Sequence, residues 1–261
     1  MKITVFVFAG ACLAIAGSAY GQHAYAVDNN ENLYSVNLAS GNASLIGNTG
    51  FFLEGLALSP GDQLYGTDSS GNLVSVNTST GAGTLVGNTG LGDIEGLDFA
   101  GGNLWGTAFD APTSLHLIDQ STGVAGFAIP SNNTDGVARA MAFDPTFTFA
   151  YTLNDGANGG QDLWATQSSG TSTFVGSWSM VTGAPLPFTA AMDFDNSTGD
   201  LWALGSGGEV MKVNAGTGEG AVVGSTGSQF WLDMTMNPVP EPASMAALGL
   251  GVAAVLRRRR K

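Results

Sequence analysis

Two glutamates and an arginine occupy the same position in successive copies of a short motif, and together they could do acid–base chemistry. Glu54 opens the stretch EGLALSP, Glu95 opens EGLDFAG, and Arg139 opens RAMAFDP. A pair of carboxyl groups can hydrolyse a glycosidic bond when the pKa of one is raised so that it acts as the acid. Nothing in the sequence indicates such a raised pKa. An ordinary ion-pair cluster and a binding site for a polar ligand are the other two interpretations.

These residues can meet only if the copies of the motif meet, so the repeat itself determines the site. LYSVNLASGNASLIGNTG begins at Leu33, and LVSVNTSTGAGTLVGNTG begins 40 residues later at Leu73. Five such units follow one another, each with four short stretches of alternating apolar residues between turns rich in Gly, Asn and Asp. Four strands in roughly 40 residues is typical of one blade of a β-propeller. The sequence therefore predicts an all-β, five-bladed propeller over residues 22–238.

The order of the strands predicts how the ring closes. The chain begins with the second to fourth strands of one blade and ends, at Leu232–Pro238, with a first strand. Pairing of the two would complete that blade and leave no open edge in the ring. The repeats resemble those of secreted bacterial propeller proteins, in which the strand similar to EGLALSP is the innermost of its blade. The alternative is a two-sheet sandwich, which does not require a 40-residue repeat.

Aligning the five predicted inner strands places like residues at like positions, which we number 1 to 5. Positions 3 and 5 are apolar in every copy, and position 2 is small except for Asp233, so these positions predict a packed core. Position 1 is predicted to ring one mouth of the central channel, with Asp233 beside it. It is occupied by Glu54, Glu95, Arg139, Ala190 and Leu232.

Aromatic residues that do not follow the repeat are candidates for an exposed recognition surface. They fall in the loops that lead into inner strands, whereas Trp105, Trp164 and Trp202 fall in repeated positions and are expected to pack. The candidates are Trp178, Trp231, Phe51 and Phe52, together with Phe188.

The sequence predicts no metal centre and no cofactor. Asp28–Asn32, Asp68–Asn72 and Asp195–Asp200 supply oxygen atoms, but none fits the twelve-residue calcium loop. They are better interpreted as tight turns, with weak structural calcium binding as the alternative. His23 and His116 are the only histidines, and His116 is expected to be a strand residue.

The charge of the body disfavours two classes of partner. Between Gln22 and Val239 there are 2 basic and 20 acidic residues, a formal charge of −18. Such a surface repels nucleic acid and anionic lipid.

The N-terminal segment has the layout of a secretory signal peptide. Lys2 is followed by an apolar run and then by small residues, which predicts a signal over residues 1–21 with cleavage before Gln22. Lipoprotein processing at Cys12 is the alternative. Because Cys12 is the only cysteine, the mature chain is expected to contain no disulfide.

The C-terminal segment, residues 239–261, combines VPEP, the 13 apolar or small residues Ser244–Leu256, and a cluster of cations. A helix of that length spans about 20 Å, less than the hydrocarbon core of a bilayer. The cluster Arg257, Arg258, Arg259, Arg260 and Lys261 should stay on the cytoplasmic side. The segment resembles the PEP-CTERM sorting signal, and a plain membrane anchor is the alternative.

This resemblance implies recognition at Pro240, Glu241 and Pro242 by an exosortase, a membrane protease-transpeptidase. It implies a transient inner-membrane stage and then a place on the surface or in the exopolysaccharide matrix of a Gram-negative bacterium. We therefore expect a non-enzymatic module with a structural, adhesive or glycan-associated role. The alternative is a hydrolase or lyase that acts on extracellular polysaccharide at the channel mouth.

Overall fold

The computed structural model of the protein describes residues 20–109, 112–156, 159–237 and 239–240. The chain divides into two compact units, of which one is Gln22–Pro238 and the other combines Met1–Gly21 with Val239–Lys261. Most of the predicted signal peptide lies outside the described residues. So do Glu241, Pro242, the apolar segment Ser244–Leu256 and the terminal cations.

The described residues form 23 strands, and none of them is helical. After β1 (Tyr20–Gly21), blade A contains β2 (His23–Asp28), β3 (Asn32–Asn37) and β4 (Asn42–Asn48). Blade B contains β5 (Leu53–Leu58), β6 (Leu64–Asp68), β7 (Asn72–Val76) and β8 (Gly83–Asn88). Blade C contains β9 (Ile94–Ala100), β10 (Asn103–Ala108), β11 (Ser114–Ile118) and β12 (Ala125–Pro130).

Blade D contains β13 (Ala138–Phe143), β14 (Phe149–Asp155), β15 (Gln161–Gln167) and β16 (Ser172–Ser177). Blade E contains the short β17 (Ser179–Met180), then β18 (Thr189–Asp195), β19 (Asp200–Gly205), β20 (Glu209–Val213) and β21 (Glu219–Ser225). The last strands are β22 (Trp231–Met236), which returns to blade A, and β23 (Val239–Pro240). In the second unit, β23 pairs antiparallel with β1, with Tyr20 opposite Pro240 and Gly21 opposite Val239.

Five separate sheets make up the larger unit, and four strands of each run antiparallel from an inner to an outer strand. In blade E, β17 pairs parallel with the outer strand β21. Blade A has the order β22-β2-β3-β4, so the last strand of the body completes the first blade. The inner strands β22, β5, β9, β13 and β18 neighbour one another in that order, and β18 returns to β22. The predicted five-bladed propeller and its mode of closure are confirmed, and the sandwich alternative is wrong.

The turns between strands use their own polar side chains, which explains their composition. The Oδ1 atom of Asp28 accepts hydrogen bonds from the backbone N–H groups of Asn30 and Asn32, both at 2.9 Å. Asp68 makes the equivalent bonds to Ser70 and Asn72, again at 2.9 Å. A side chain that accepts from the backbone two to four residues ahead holds the chain in a turn.

Apolar clusters lie between successive blades. The cluster between blades A and B, for example, joins Val27 and Leu33 of one to Leu56 and Val74 of the other. Position 3 of the inner strands is at most 2% exposed in every blade. Burial of these faces against the neighbouring sheet is the main favourable term in folding. Because each blade is covered by the next one in the ring, complete burial requires all five blades.

Glycines on the outer strands allow neighbouring blades to approach closely. A Cβ atom added at Gly47, Gly87 or Gly176 would collide with a backbone carbonyl oxygen in the turn of the next blade. The partners are Thr80, Thr122 and Thr217, respectively. A glycine at this place therefore permits a backbone approach that no other residue allows.

We expect Gly176→Ala to lower the free energy of unfolding by about 1–3 kcal/mol, because overpacking against a backbone atom forces the blades apart. Chemical denaturation measures this change. Gly224→Ala is the matched control, because Gly224 occupies the same place in the repeat but an added Cβ there meets nothing closer than Val210 at 3.8 Å. Equal effects of the two substitutions would contradict this account of the interblade contact.

Among the described residues there is no helix long and apolar enough to cross a membrane.

Candidate functional site

A β-bulge in each inner strand brings the position 1 residues to one mouth of the channel. In β5 the pairing with β6 passes from Leu53–Asp68 to Gly55–Thr67, which leaves Glu54 as the extra residue. The same shift occurs at position 1 of the other four inner strands. A bulge redirects the side chain of the unpaired residue. These five residues, with Phe188 and Phe230, line a cavity of about 260 Å³.

Arg139 occupies the centre of the charged side of this mouth. Its Nη1 donates to the two carboxylate oxygens of Glu95 at 3.0 and 3.3 Å. Its Nε and Nη2 donate to Oδ2 of Asp155 at 2.9 and 2.7 Å. The guanidinium carbon lies 4.4 Å from the ring centre of Phe109 and 5.8 Å from that of Phe188. The one arginine of the body is thus fully engaged by two carboxylates and two rings.

A third carboxylate, Asp93, joins Glu54 and Glu95. One oxygen of each of the three residues lies within 4.8 Å of the others. Oε2 of Glu54 and Oδ1 of Asp93 are shielded from solvent and accept no hydrogen bond from the described residues. Two neighbouring carboxyl groups avoid repulsion when one keeps a proton and donates it to the other. These three side chains are also the described residues that could hold a divalent cation.

Burial governs the acidity of the three groups. Burial, followed by the negative charge of Asp93, raises the pKa of Glu54 to about 8. Burial raises the pKa of Glu95 to about 7 against the opposing attraction of Arg139. The pKa of Asp93 is also raised, again mainly by burial. The mouth therefore contains more carboxyl groups than its single cation can keep ionised.

The other side of the mouth is aromatic. Phe188 and Phe230 are 42% and 41% exposed, and each lies two residues before position 1 of its strand. Because side chains alternate along an extended chain, residues two apart share a face. Phe52 has the same place before Glu54 and is 38% exposed, although it does not line the cavity. Phe51 is only partly exposed and packs against the cluster between blades A and B.

The expectation that Trp178 and Trp231 form an exposed surface is wrong. They are 3% and 0% exposed, respectively. Trp231 directly precedes position 1 and therefore faces the interior, where its Nε1 donates to Oγ1 of Thr226 at 2.9 Å. Trp178 packs between blades D and E, and its Nε1 donates to Oγ1 of Thr189 at 3.2 Å. An aromatic residue outside the repeated positions was therefore not an indicator of exposure for either tryptophan.

Asp233 does not line the cavity of the mouth, so its expected place beside the position 1 residues is corrected. It is 1% exposed and accepts the backbone N–H of Leu56 at 2.6 Å and of Met234 at 2.8 Å. Leu56 belongs to the inner strand of the next blade. Asp233 is therefore a link between blades A and B, and burial raises its pKa well above the usual value.

Two more aspartates form such links, and sequence reasoning overlooked them. Asp98 of blade C accepts the N–H of Phe143 in blade D at 2.7 Å. Asp193 of blade E accepts the N–H of Met236 in blade A, also at 2.7 Å. Both occupy position 4 of their inner strands, so alignment of these strands would have shown that the two aspartates share a position. With Thr235 they line a second cavity of about 460 Å³.

These observations define the class of the protein as a closed, five-bladed β-propeller with a charged and aromatic channel mouth. Residues 238–261 match the PEP-CTERM protein-sorting motif, which confirms the resemblance noted in the tail and marks the protein for export and sorting to the cell surface. The motif implies recognition by an exosortase.

Solved structures resemble the fold at low sequence identity. A chain of the nidogen/laminin complex has a TM-score of 0.57 and 14% identity, covering 84% of this chain and 82% of that one. A gluconolactonase from Xanthomonas campestris has a TM-score of 0.53 and 14% identity, covering 85% of each chain. At this identity the likeness shows the fold alone. A comparison with curated protein sequences gave no match.

Proposed function

We propose that the protein is a non-enzymatic, glycan-associated module of the cell surface or extracellular polysaccharide matrix of a Gram-negative bacterium, and that a polysaccharide binds at its channel mouth. The observation that carries this proposal is the two-sided cavity, which has exposed phenylalanines on one side and carboxylates with Arg139 on the other. A sugar presents the matching surfaces, since its C–H face packs on an aromatic ring and its hydroxyl groups both donate and accept hydrogen bonds. The sorting motif at residues 238–261 supports the proposed location.

The size of the cavity favours one unit of a polymer over a large free ligand. Its volume is about 260 Å³, below the range of about 300–1,000 Å³ typical of pockets for drug-sized molecules. A single sugar ring inserted from a longer chain fits this description. The rest of the polymer would then lie across the face of the propeller.

We expect Phe188→Ala combined with Phe230→Ala to weaken adsorption to matrix polysaccharide from the native host by about tenfold or more, as for truncation of central contact residues. The rings are exposed, so the melting temperature should change little. Phe127→Ala is the matched control, because Phe127 is 65% exposed on the outer strand β12. Undiminished adsorption of the double variant would contradict a site at the mouth.

The proposed location predicts the mass of the mature protein. We expect material from the native host to begin at Gln22, to end near Pro240, Glu241 and Pro242, and to be found in the outer-surface or matrix fraction. Alanine at all three of those positions should keep the tail on the chain. A wild-type product that retains Arg257–Lys261 in the inner membrane would make the tail a plain anchor and would contradict this location.

A hydrolase acting on extracellular polysaccharide is the second candidate, and one observation favours it. Burial raises the pKa of Glu54 to about 8, and one oxygen of Glu54 lies within 4.8 Å of one oxygen of Glu95. Arg139, which pairs with Glu95, opposes the rise in the pKa of Glu95. Glycoside hydrolysis uses two carboxyl groups of which the one with the higher pKa acts as the acid. Release of reducing ends from the matrix polysaccharide, lost in Glu54→Gln combined with Glu95→Gln, would establish this function and overturn the non-enzymatic one.

A further inference from the structure

We propose that the channel mouth binds a primary ammonium group, and that its polysaccharide ligand contains amino sugars whose nitrogen is not acylated. This inference rests on the function proposed above and narrows the class of its ligand. It follows from the shape, the charge and the aromatic side of the mouth.

The charges of the mouth are unbalanced. Among the described residues, Arg139 makes its ion pairs with Glu95 and Asp155, whereas Glu54 and Asp93 make none. Glu54 and Asp93 each have one shielded oxygen that accepts no hydrogen bond from an N–H or hydroxyl group of the described residues, so a proton shared between the two carboxyl groups relieves their repulsion. A cationic ligand can replace that proton as the counter-charge, whereas a neutral sugar cannot.

The geometry suits an ammonium nitrogen. One oxygen each from Glu54, Asp93 and Glu95 lies within 4.8 Å of the other two. Three oxygens no farther apart than this leave a position from which one nitrogen can reach all three at about 2.8 Å, the usual length of a hydrogen bond between an ammonium and a carboxylate. A primary ammonium carries three N–H donors, so it can satisfy all three residues at once.

The aromatic side favours a cation as well. A positive charge is attracted to the face of an aromatic ring, and this mouth already holds one in that way, since Arg139 lies over Phe109. Phe188 and Phe230 offer further rings in the same cavity. The carbon skeleton of an amino sugar can pack on these rings while its nitrogen faces the carboxylates.

The charge of the whole body selects for the same ligand. At a formal −18 between Gln22 and Val239, the surface attracts polycations and repels anionic polymers over distances of about a Debye length, roughly 8–10 Å. A polysaccharide with several free amino groups would therefore be drawn to the propeller before it contacts the mouth.

The test is calorimetric titration of the exported protein with a glucosamine tetrasaccharide, and with the same tetrasaccharide in fully N-acetylated form. We expect the free amine to bind at least about tenfold more tightly, the change that corresponds to 1.4 kcal/mol. Glu54→Gln combined with Asp93→Asn should abolish this preference. Glu219→Gln, which removes an exposed carboxylate on β21, should leave it unchanged.

The remaining outcomes separate this inference from the proposed function. Equal affinity for the two tetrasaccharides would overturn the ammonium assignment and leave polysaccharide binding intact. If neither binds and the matrix polysaccharide does not adsorb, both proposals fail. Equal binding of tetralysine would overturn the assignment to a sugar, and loss of binding with a chelator would make the three carboxylates a metal site instead. Thermal unfolding of each variant shows whether the propeller is intact.

Discussion

Replacement of Trp231 by alanine is expected to lower the free energy of unfolding by about 3–5 kcal/mol, the usual cost of truncating a fully buried aromatic residue. Trp231 is 0% exposed and packs edge-to-face on Tyr34 at 5.2 Å between the ring centres. It belongs to β22 and to the apolar cluster between blades E and A. The substitution therefore weakens the blade that closes the ring. Chemical denaturation measures the change.

The neighbouring residue supplies the matched control. Phe230→Ala removes an aromatic ring one position earlier, but that ring is 41% exposed at the mouth. Its free energy of unfolding should change by no more than about 0.5 kcal/mol, as for ordinary surface sites. A Trp231→Ala variant as stable as Phe230→Ala would show that β22 contributes little to closure.

The second large effect is a loss of stability as the pH rises. Burial raises the pKa of Glu54 to about 8, of Glu95 to about 7 and of Asp193 to about 6. These groups bind protons more tightly in the folded than in the unfolded chain, where carboxyl pKa values are about 4. The folded state is therefore favoured at acidic pH, and the advantage declines between about pH 4 and pH 8. We expect a loss of about 2 kcal/mol from Glu95 alone, allowing for solvent screening at the mouth.

Unfolding by urea at a series of pH values tests this dependence. Glu54→Gln should flatten the profile between about pH 5 and pH 8, because it removes one of the groups whose protonation changes on unfolding. Glu219→Gln, at an exposed site on β21, provides the comparison. Stability that rises over the same interval would mean that the carboxyl groups of the mouth are stabilised as anions, contrary to their burial.

The blades could be predicted because the repeat encodes them locally. Each unit carries its own alternating apolar residues and its own turn-forming residues, such as Asp28 and Asp68. The alignment of the inner strands was also sufficient to bring together Glu54, Glu95 and Arg139, since equal positions in a closed ring lie at equal heights. Asp93 was missed because it precedes the strand, although it lies two residues from Glu95 and so shares its face.

The errors at Trp231 and Asp233 had a common physical cause. Trp231 and Asp233 flank position 1, and the bulge there decides which side chains face the channel and which face the interior. The bulge depends on pairing with the second strand of the blade, as Val27 and Asp28 show for blade A, and the sequence of the inner strand does not contain that pairing. Likewise, Asp98 and Asp193 appear as ordinary polar residues until the neighbouring blade supplies the N–H groups that they accept.

Closure through β22 also determines when the protein can fold. Ala24 pairs with Met236, so the most sequence-distant strand pair of the body cannot form until nearly the whole body has been synthesised. Folds dominated by contacts of high sequence separation form slowly. The ring is therefore the last feature of the body to form, and we expect export to precede its closure.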